Sequence, residues 1–585
     1  MEKIDKSDNM RHTLAHLLAA SVGEIYKFDK IKLTLGPAIE NGFYYDIDFG
    51  DEKITDANLK KIEDVMRKKL PKWTEWKHKE LTKEEALNFF KNEYKAELIN
   101  EIAERGEKIT TYTCGGFTDL CRGGHLKNPA KEIDPESFKL DRIAGAYWRG
   151  DEKNKMLTRI YGLAFETKEE LGTYIAQRTE AEKRDHKKLG KELDLFVIDE
   201  KVGKGLPMWT PKGTAIKFEL QKFTRELEQK YGYQHVETPY LGGEELYRTS
   251  GHLDHYSKNM YAPIDMDGNK FYLRPMACPH HIRMYQRRPW SYKELPIRYA
   301  EIADYNRYEK SGELMGMMRV RKFQLTDGHL FVTPEGLKEE FKLVCNMIVE
   351  GMKGLGFIDI VSYRFSKRDP KNKEKYYPDD NLWNQAENLM KEALDELKLN
   401  YVEAEDEAAF YGPKLDVQAK NVNGKEDTLF TAQMDFLLPE KFEIEYIDRD
   451  GKKKRPVMIH RSTIGSLERV FGFLIEHYAG AFPLWLAPVQ VKVIPVRENH
   501  NEYAKKIAEM LKENNIRVEF DDKDENLGTK VRDAKNNKIP YWIVIGDKEI
   551  EAKKVTLESR DKGQLGQMSK EELVSKFLEE IQNKK

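Results

Sequence analysis

The sequence predicts a multidomain protein of mixed α+β and α/β architecture, and three observations support this. The 585 residues call for about three or four domains, since a single hydrophobic core stops growing well below that length. The segment after Met318 alternates side chains with the period of a strand. After Pro488 the pattern becomes strand, helix, strand, helix, strand, which predicts a small α/β domain.

The composition excludes several classes of protein. The 99 Lys+Arg nearly balance 101 Asp+Glu, so any RNA contact must rest on local basic patches rather than on overall charge. No apolar run reaches the ~18 residues that a membrane span needs. The first six residues lack the apolar segment of a signal peptide. We therefore expect no membrane partner. The four cysteines are too scattered for a disulfide framework, so we expect a reducing cytoplasm.

Two polar pairs at a spacing of four stand out in residues 1–185. His12 and His16 lie among good helix formers, where this spacing puts both imidazoles on one helix face. Cys121 and His125 form the second pair. A single HxxxH pair is a weak signal, because such histidines are often surface residues. Together the two pairs are a fair signature of a metal site.

Residues 168–195 are charged and helix-forming, with a basic run at 183–188. A solvated connecting helix is the simpler interpretation, and a patch for an RNA backbone is the functional one. A second, amphipathic helix is predicted from Thr214 to about Tyr231.

The stretch 271–331 holds most of the polar residues that could carry chemistry. In the strand predicted after Met318, a period of two puts six side chains on one face: Arg319, Arg321, Phe323, Leu325, Asp327 and His329. The loop 310–316 would join this strand in a hairpin to the one ending near Arg307. A hairpin lined with arginine suits a polyphosphate, because guanidinium is a planar, bidentate donor. A solvent-exposed charged hairpin is the plainer alternative.

Segments 298–301 (RYAE), 307–309 (RYE) and 316–321 (GMMRVR) resemble motif 2 of the class II aminoacyl-tRNA synthetases. With 275–279 (PMACP) before them and 327–329 (DGH) after them, the sequence resembles the threonyl-tRNA synthetases, and it does so over nearly the whole chain. The resemblance implies a catalytic domain built on an antiparallel sheet.

The resemblance also implies the domain organisation. We expect an α+β editing domain at 1–185 with a linker helix to about 195, a class II catalytic domain at 196–487, and an α/β anticodon-binding domain at 488–585. Many members of the family carry a small ubiquitin-like (TGS) domain first. We expect it to be absent here, because Met1 lies almost directly before His12.

The N-terminal region resembles the editing domain that threonyl- and alanyl-tRNA synthetases share, through 118–125 (TDLCRGGH), 144–151 (AGAYWRGD) and 154–162 (NKMLTRIYG). This implies hydrolysis of wrongly attached serine, with the presence of a metal left open. The editing residues implied are His12, His16, Asp119, Cys121 and His125. Gly124 stands where the family usually has proline.

The resemblance implies a zinc site made by Cys278, His329 and His460, with one Zn²⁺ per subunit. Three N/S ligands with an open fourth position are typical of a functional rather than a structural zinc site. His280 and His281 remain rival ligands, since both lie close to Cys278 in the chain.

The amino-acid substrate gives a reason for such a site. Valine is isosteric with threonine, and an apolar pocket rejects an isostere by only about a hundredfold. Zinc bound by the amino group and hydroxyl of threonine would reject valine, with Asp327 accepting the hydroxyl proton. Serine keeps both groups, which is why an editing domain is needed. Tyr411 and Met276 are expected to line the same pocket.

By resemblance, five residues are expected around ATP and its Mg²⁺: Arg307, Glu309, Arg319, Gln433 and Arg469. Arg307 would contact the α-phosphate, Glu309 the adenine amino group, and Arg319 the length of the triphosphate. The third motif, 456–470, predicts a strand that gives way at Gly465 to a helix. Arg469 lies one turn into that helix, where it could reach a γ-phosphate.

Other features concern tRNA and the second subunit. Segment 236–239 (VETP) resembles class II motif 1, which together with the helix before it implies a twofold homodimer. His252 is a candidate proton acceptor during transfer to the tRNA ribose. In the C-terminal domain the candidates for reading unstacked anticodon bases are Arg532, Glu549 and Arg560.

The resemblance therefore implies a cytoplasmic homodimer that ligates L-threonine to tRNA(Thr) with ATP and hydrolyses seryl-tRNA. A synthetase-like protein that binds tRNA or regulates without ligating is one alternative, but the motif arginines are all present. A ligase for another amino acid, such as proline, is another, and the Cys278, His329 and His460 set argues against it.

Overall fold

The computed structural model describes residues 6–584 and divides them into two compact units, which adjoin in the sequence between Thr179 and Glu180. Residues 1–5 and 585 lie outside the described residues. They include most of the segment inspected for a signal peptide, the first residues of the predicted editing domain and the last residue of the predicted anticodon-binding domain.

The first unit is an α+β domain with two antiparallel sheets. Its helices are α1 (Lys6–Tyr26), α2 (Leu59–Lys69), α3 (Lys83–Phe89), α4 (Glu93–Glu104) and α5 (Pro129–Glu132). Its strands are β1 (Lys32–Leu33), β2 (Ala38–Ile39), β3 (Gly42–Asp48), β4 (Lys77–Leu81), β5 (Ile109–Cys114), β6 (Phe117–Leu120), β7 (Phe138–Tyr147) and β8 (Met156–Ala164). The larger sheet has the order β1-β3-β8-β7 with β2 on β3, and the smaller has the order β4-β5-β6. The helix expected around His12 and His16 is α1, which buries Leu14, Leu17 and Leu18 in the core of the unit.

The connecting segment contains two helices where one was expected. Helix α6 (Lys168–Arg184) is followed after a single residue, Asp185, by α7 (His186–Glu192). Asp185 has a non-helical ψ of 122°, and its carboxylate accepts hydrogen bonds from Lys187 N (2.8 Å) and Lys188 N (3.0 Å). Aspartate is a favoured N-cap, so this residue stops one helix and starts the next. His186 is buried, so the segment is not wholly solvated.

The second unit contains a large central domain. Its helices after α7 are α8 (Pro211–Lys230), α9 (Glu244–Thr249), α10 (His252–His255), α11 (Cys278–Tyr285), α12 (Leu337–Leu355), α13 (Asp380–Glu396), α14 (Leu437–Lys441) and α15 (Leu467–His477). Its strands are β9 (Phe196–Val197), β10 (Met208–Trp209), β11 (Gln234–His235), β12 (Leu241–Gly243), β13 (Ile264–Met266), β14 (Asn269–Leu273), β15 (Ile297–Asn306), β16 (Lys322–Val332), β17 (Val361–Ser366), β18 (Tyr401–Ala404), β19 (Lys414–Lys420), β20 (Glu426–Asp435), β21 (Tyr446–Ile447), β22 (Lys453–Lys454) and β23 (Val457–Ser466).

The central domain is built on an eight-stranded sheet with the order β11-β15-β16-β23-β20-β19-β17-β18. Six of the strands pair antiparallel, and only the two edge pairs, β11 with β15 and β17 with β18, are parallel. Helices α8, α12 and α15 share a hydrophobic core with this sheet. The expectation of an antiparallel catalytic sheet is confirmed.

The predicted hairpin is present, but its second strand starts later than expected. Strand β15 pairs antiparallel with β16, which begins at Lys322 rather than at Arg319. Arg319 and Met315 instead pair with each other through both backbone N–H groups (3.1 and 3.2 Å), across a turn in which Gly316 has φ +50°. That turn uses the backbone groups of Arg319, so Arg319 and Arg321 belong to the hairpin loop and not to the strand face.

The amphipathic helix predicted from Thr214 begins earlier, at Pro211. Thr210 caps it, because its hydroxyl oxygen accepts a hydrogen bond from Gly213 N at 3.2 Å. Proline is favoured in the first turn of a helix, where its missing N–H costs nothing. The cap and the proline therefore set the start.

The C-terminal domain contains β24 (Val491–Pro495), α16 (Asn501–Glu513), β25 (Val518–Phe520), α17 (Leu527–Asn536), β26 (Tyr541–Ile545), α18 (Asp547–Ala552), β27 (Val555–Ser559), β28 (Gly563–Met568) and α19 (Lys570–Gln582). Its sheet has the order β25-β24-β26-β27-β28. The first three strands are parallel, as the predicted alternation requires, and the last two are antiparallel additions. The α/β prediction is confirmed. Among residues 6–584, no helix has the length and apolar character needed to cross a membrane.

Candidate active site

A cleft of about 320 Å³ lies on the eight-stranded sheet. It collects every residue that the sequence assigned to the zinc site, to ATP or to threonine. These are Met276, Cys278, Arg307, Glu309, Arg319, Asp327, His329, Tyr411, Gln433, His460 and Arg469. They are spread over nearly two hundred residues of sequence, so only the fold brings them together.

The pairing of β16 with β23 explains the centre of the cleft. His329 and His460 are direct partners in this antiparallel register. Side chains alternate along a strand, so Asp327 and His329 line the cleft, whereas Leu330 and Val332 enter the core under the helices. This confirms the predicted polar face from Phe323 to His329.

Cys278, His329 and His460 offer ligand atoms that all lie within 4.8 Å of one another. The second nitrogen of each imidazole already has a partner. His329 Nδ1 lies 2.8 Å from His281 Nδ1, and His460 Nε2 lies 2.7 Å from Asp435 Oδ2. Such outer partners are typical of metal-binding histidines. They leave His329 Nε2 and His460 Nδ1 free to act as ligands.

The two rival histidines are not part of this cluster. His281 is buried behind His329 and bonds Glu301 Oε2 through Nε2 at 3.0 Å. His280 Nε2 lies 3.3 Å from the carbonyl oxygen of Leu241. His281 therefore supports His329 as a hydrogen-bond partner, whereas His280 lies outside the cluster.

The electrostatics of the cluster fit a divalent cation. Burial raises the pKa of the Cys278 thiol well above its usual range, and the charge of Asp327 adds to this. Burial also lowers the pKa of His329, so its imidazole is neutral. A thiolate in this setting needs a positive charge beside it, which a metal ion provides. A thiol and two imidazoles form a donor set that suits zinc.

Asp327 is held in place by two donors beside the cluster. Tyr305 donates its hydroxyl to Asp327 Oδ2, and Gly328 N donates to Oδ1 at 2.9 Å. Burial raises the pKa of this carboxyl. The sequence analysis missed Tyr305. The period of β15 puts it on the same strand face as Glu301, and this alternation could have identified it.

Tyr411 and Gln433 form one side of the cleft. The Tyr411 hydroxyl donates to Gln433 Oε1 at 2.5 Å, and its ring stacks on His460 with centroids 5.1 Å apart. Tyr411, expected at threonine, and Gln433, expected at ATP, are thus in direct contact.

The three predicted arginines lie around the other end of the cleft. Arg469 donates from Nε to Met318 O (3.0 Å) and from Nη1 to Thr428 O (2.8 Å). Arg319 pairs with Glu309, with 2.9 Å between Nε and Oε2. Arg307 lies over the Phe323 ring at 5.0 Å. Glu309 and Arg319, expected on different parts of ATP, contact each other here.

His252 is buried beside the cleft rather than in its lining. Its Nδ1 lies 2.8 Å from Ser250 Oγ, and its Nε2 lies 3.4 Å from Met276 Sδ. Burial lowers the pKa of His252 to about 4, so the imidazole is neutral near pH 7 and has a lone pair to accept a proton.

A second polar cluster lies in the first unit, beside a cleft of about 310 Å³. The ligand atoms of His12, His16, Cys121 and His125 lie within 4.8 Å of one another. Cys121 Sγ lies 3.4 Å from His12 Nε2 and 3.3 Å from His125 Nε2. The two pairs at a spacing of four therefore meet, as the sequence predicted. His125 is the one member that does not line the cleft.

Asp119 connects this cluster to residues that the sequence analysis missed. It accepts a hydrogen bond from Tyr45 (2.6 Å), lies 3.2 Å from His16 Nδ1, and pairs with the ammonium group of Lys95. Lys95 is buried on α4, four residues from the core residue Ile99. A lysine in the apolar stripe of a helix was the signal that could have identified it.

The cluster is strongly polarised. Burial opposes ionisation of Cys121, but hydrogen bonds from His12 and His125 lower the pKa of its thiol to about 3. Burial likewise opposes protonation of His16, but Asp119 raises its pKa to about 9. A thiolate and an imidazolium therefore stand side by side. Gly124 has φ +84°, a conformation that proline cannot adopt, so the loop differs here from the usual family pattern.

The three anticodon candidates have different surroundings. Arg532 is exposed on α17. Glu549 accepts hydrogen bonds from Gly546 N (2.9 Å) and Thr556 Oγ1 (2.6 Å). Arg560 donates to Lys538 O at 2.7 Å. Both oxygens of Glu549 are engaged within the fold, so in the free protein Arg532 is the most accessible of the three.

Three parts of the chain match known families. Residues 261–478 match the tRNA synthetase class II core domain (G, H, P, S and T). Residues 490–580 match an anticodon binding domain. Residues 109–161 match the threonyl and alanyl tRNA synthetase second additional domain.

Whole-chain comparisons agree with these matches. A threonine–tRNA ligase from Geobacillus sp. (strain WCH70) is 50% identical over 578 residues, 98% of this chain and 88% of that protein. One from Staphylococcus aureus (strain JH9) is 48% identical over 579 residues, with the same coverage. The crystal structure of the RNA binding domain of threonyl-tRNA synthetase from Cryptosporidium parvum Iowa II superposes with a TM-score of 0.64 at 34% identity, covering 68% of this chain and 98% of that one.

Proposed function

This chain belongs to the threonyl-tRNA synthetase family, and we propose that the residues of its two clefts carry out the reactions of that family. It is a class II aminoacyl-tRNA synthetase that ligates L-threonine to its tRNA in two steps and edits mischarged seryl-tRNA. The contacts within each cleft support a separate role for each group of polar side chains.

In the first step a carboxylate oxygen of threonine attacks the α-phosphorus of ATP, and pyrophosphate leaves. No protein nucleophile is needed, so catalysis consists of alignment and of positive charge around the phosphoryl oxygens. Arg307, Arg319 and Arg469 supply that charge together with the Mg²⁺ that accompanies ATP. Their common cleft supports this assignment.

We assign Cys278, His329 and His460 as the residues that hold one Zn²⁺ per subunit. When bound, the ion would supply a Lewis-acid site for the amino and hydroxyl groups of the amino acid. Asp327 accepts the proton of that hydroxyl, because Tyr305 and Gly328 N fix its carboxylate at the cluster. Valine offers no such proton, and this difference separates the two isosteres.

In the second step a ribose hydroxyl at the 3′ end of tRNA attacks the carbonyl carbon of threonyl adenylate, and AMP leaves. We assign His252 as the group that accepts the hydroxyl proton. Its neutral imidazole next to Met276 supports this role.

For editing, water attacks the ester that joins serine to the tRNA, and free serine leaves. We assign this hydrolysis to the cleft that His12, His16, Asp119 and Cys121 line, with His125 completing the cluster. The charged pair of Cys121 and His16 would orient the water and the amino group of serine. Lys95 keeps Asp119 ionised beside them.

A homodimer is supported by exposed apolar side chains along the segment that runs from just before α8 to just after the motif 1 resemblance at 236–239. They are Met208 (40% exposed), Phe218 (62%) and Tyr240 (57%). Exposed apolar patches mark interaction surfaces. We place Arg532 at the anticodon of tRNA(Thr). A cytoplasmic location fits the four cysteines, all of which are free thiols.

The observation that carries the assignment is the meeting of the Cys278, His329 and His460 cluster with the motif arginines in one cleft. The test measures bound metal and ATP–pyrophosphate exchange with threonine, serine and valine, for wild type and Cys278→Ala. We expect one zinc per chain, exchange with threonine but not with valine, and loss of both in the variant. A metal-free protein that still activates threonine would contradict the zinc assignment.

A further inference from the structure

His186 is a buried histidine that belongs to no substrate cleft. It is the first residue of α7, its side chain is only 2% exposed, and it lies at the start of the second compact unit. Its two ring nitrogens contact two different parts of the catalytic domain. Nδ1 lies 2.8 Å from Glu476 Oε1 on α15, and Nε2 lies 3.2 Å from the backbone nitrogen of Met317.

These contacts define one tautomer. The N–H of Met317 can only donate, so Nε2 of His186 must accept. Nδ1 therefore carries the proton and donates it to the carboxylate of Glu476. The imidazole thus forms a bridge in which it accepts a hydrogen bond from the Met317 backbone and donates one to the Glu476 side chain.

Met317, whose backbone N–H this bridge holds, lies in the hairpin loop that carries Arg319. Gly316 precedes it with φ +50°, and a Cβ at Gly316 would lie only 2.1 Å from His186 Nε2. Glycine is therefore required for this close approach. The imidazole fits against the backbone of the loop, not against its side chains.

The next residue of the loop is held by Arg469, whose Nε donates to Met318 O at 3.0 Å. Arg469 and Glu476 both lie on α15, two helical turns apart. Helix α15 thus fixes two successive loop residues, Met318 directly and Met317 through His186. Met317 and Met318 are buried, so their side chains anchor this part of the loop in the core, while Arg319, the next residue, is exposed.

We propose that His186 is a positioning residue for the hairpin loop that carries Arg319: it fixes the backbone at Met317 so that Arg319 and Arg469 converge on the triphosphate. This rests on the ATP-binding role proposed above for the two arginines. It assigns part of ATP binding to a segment well outside the three class II motifs, at the start of α7. His186 itself touches no substrate.

The test compares His186→Ala and His186→Gln with wild type in ATP–pyrophosphate exchange, with rates normalised to active sites. Glutamine can accept from Met317 N and donate to Glu476, whereas alanine leaves the buried N–H of Met317 without a partner. We expect His186→Ala to raise KM for ATP about tenfold with KM for threonine unchanged, and His186→Gln to restore most of the affinity. Lys191→Ala, an exposed position on the same helix, is the matched control.

A double-mutant cycle with Glu476→Ala separates positioning from general stability. If the bridge acts as a unit, the double variant should be no worse for ATP than His186→Ala alone. Equal KM values for ATP in wild type and His186→Ala, or parallel losses for ATP and threonine, would overturn the proposal. A wild-type protein without threonine-dependent exchange would instead contradict the proposed function.

Discussion

His281 Nδ1 lies 2.8 Å from His329 Nδ1, and its other nitrogen, Nε2, lies 3.0 Å from Glu301 Oε2. Burial opposes ionisation of Glu301, but hydrogen bonds from His281 and Arg274 lower its pKa to about 2. The ionised carboxylate accepts from His281 Nε2, so His281 Nδ1 is an acceptor and His329 Nδ1 donates to it. The lone pair of His329 is thereby confined to Nε2, the nitrogen that we propose as the zinc ligand.

The first prediction concerns metal retention. His281→Ala or Glu301→Gln should weaken zinc binding by about 10–100-fold, because the ligand histidine loses the partner that fixes its tautomer and ring orientation. Zinc release to a colorimetric chelator measures this without reference to activity. His280→Ala is the control, because it changes the adjacent histidine, which takes no part in these hydrogen bonds. Equal release rates in all four proteins would show that Glu301 and His281 serve only the core.

The second prediction separates the two reaction steps. His252→Ala should slow transfer from preformed threonyl adenylate to tRNA by about 10²–10⁴-fold, the usual contribution of a positioned general base. ATP–pyrophosphate exchange should stay near the wild-type rate, because the arginines of the cleft are untouched. Single-turnover assays measure each step. If both steps fell together, His252 would be a packing residue of the cleft.

The third prediction is a pH dependence in the first unit. The pKa of Cys121 in the fold, about 3, lies far below that of an ordinary thiol, so the reactive thiolate is already present in weakly acidic solution. Alkylation of Cys121 by iodoacetamide, after treatment with a chelator, should therefore change little between about pH 5 and 8.

Mass spectrometry identifies the alkylated residue, and Cys121→Ser confirms the site. Cys114 provides an internal comparison, because burial raises the pKa of its thiol to about 11. An alkylation rate at Cys121 that rose about tenfold per pH unit throughout this range would show that its thiol is an ordinary one.

The fourth prediction concerns a buried ion pair under the cleft. Arg461 Nη1 lies 3.0 Å from Glu228 Oε1, and both side chains are wholly inaccessible. Arg461→Met should destabilise the catalytic domain by about 3 kcal/mol, because Glu228 stays charged and buried after losing its arginine, with only His235 and Thr463 still bonded to it. Glu228→Gln in the same chain should recover part of the loss. Thermal unfolding of the full chain measures both, and identical midpoints for the single and double variants would contradict the expected coupling.

The metal cluster shows how far local sequence information reaches. Cys278, His329 and His460 were assigned because the resemblance to threonyl-tRNA synthetases places all three as ligands, and the cleft contains all three. His280 and His281 stayed open as rival ligands, because closeness to Cys278 in the chain alone cannot exclude either. Burial of His281 against Glu301 decided the question, and that contact spans twenty residues.

The hairpin shows a similar limit. Alternation predicted the strand and its polar face correctly from Phe323 to His329, because strand period is a local property. It did not predict that Arg319 would pair its backbone with Met315 and leave the strand. The alternation of residue types in the sequence extends back to Arg319, whereas the strand itself begins only at Lys322.

The sequence by itself determined the order of the domains, the antiparallel and α/β character of the catalytic and C-terminal sheets, and the residue types of both polar clusters. Tertiary structure alone decided which nitrogen of each histidine is free, that Lys95 and Tyr305 support the carboxylates, and that His186 holds the loop of Arg319. The physical reason is that periodicity and motif spacing act within a few residues of chain. Tautomers, pKa values and buried hydrogen bonds depend on groups that are distant in sequence and adjacent only in the folded molecule.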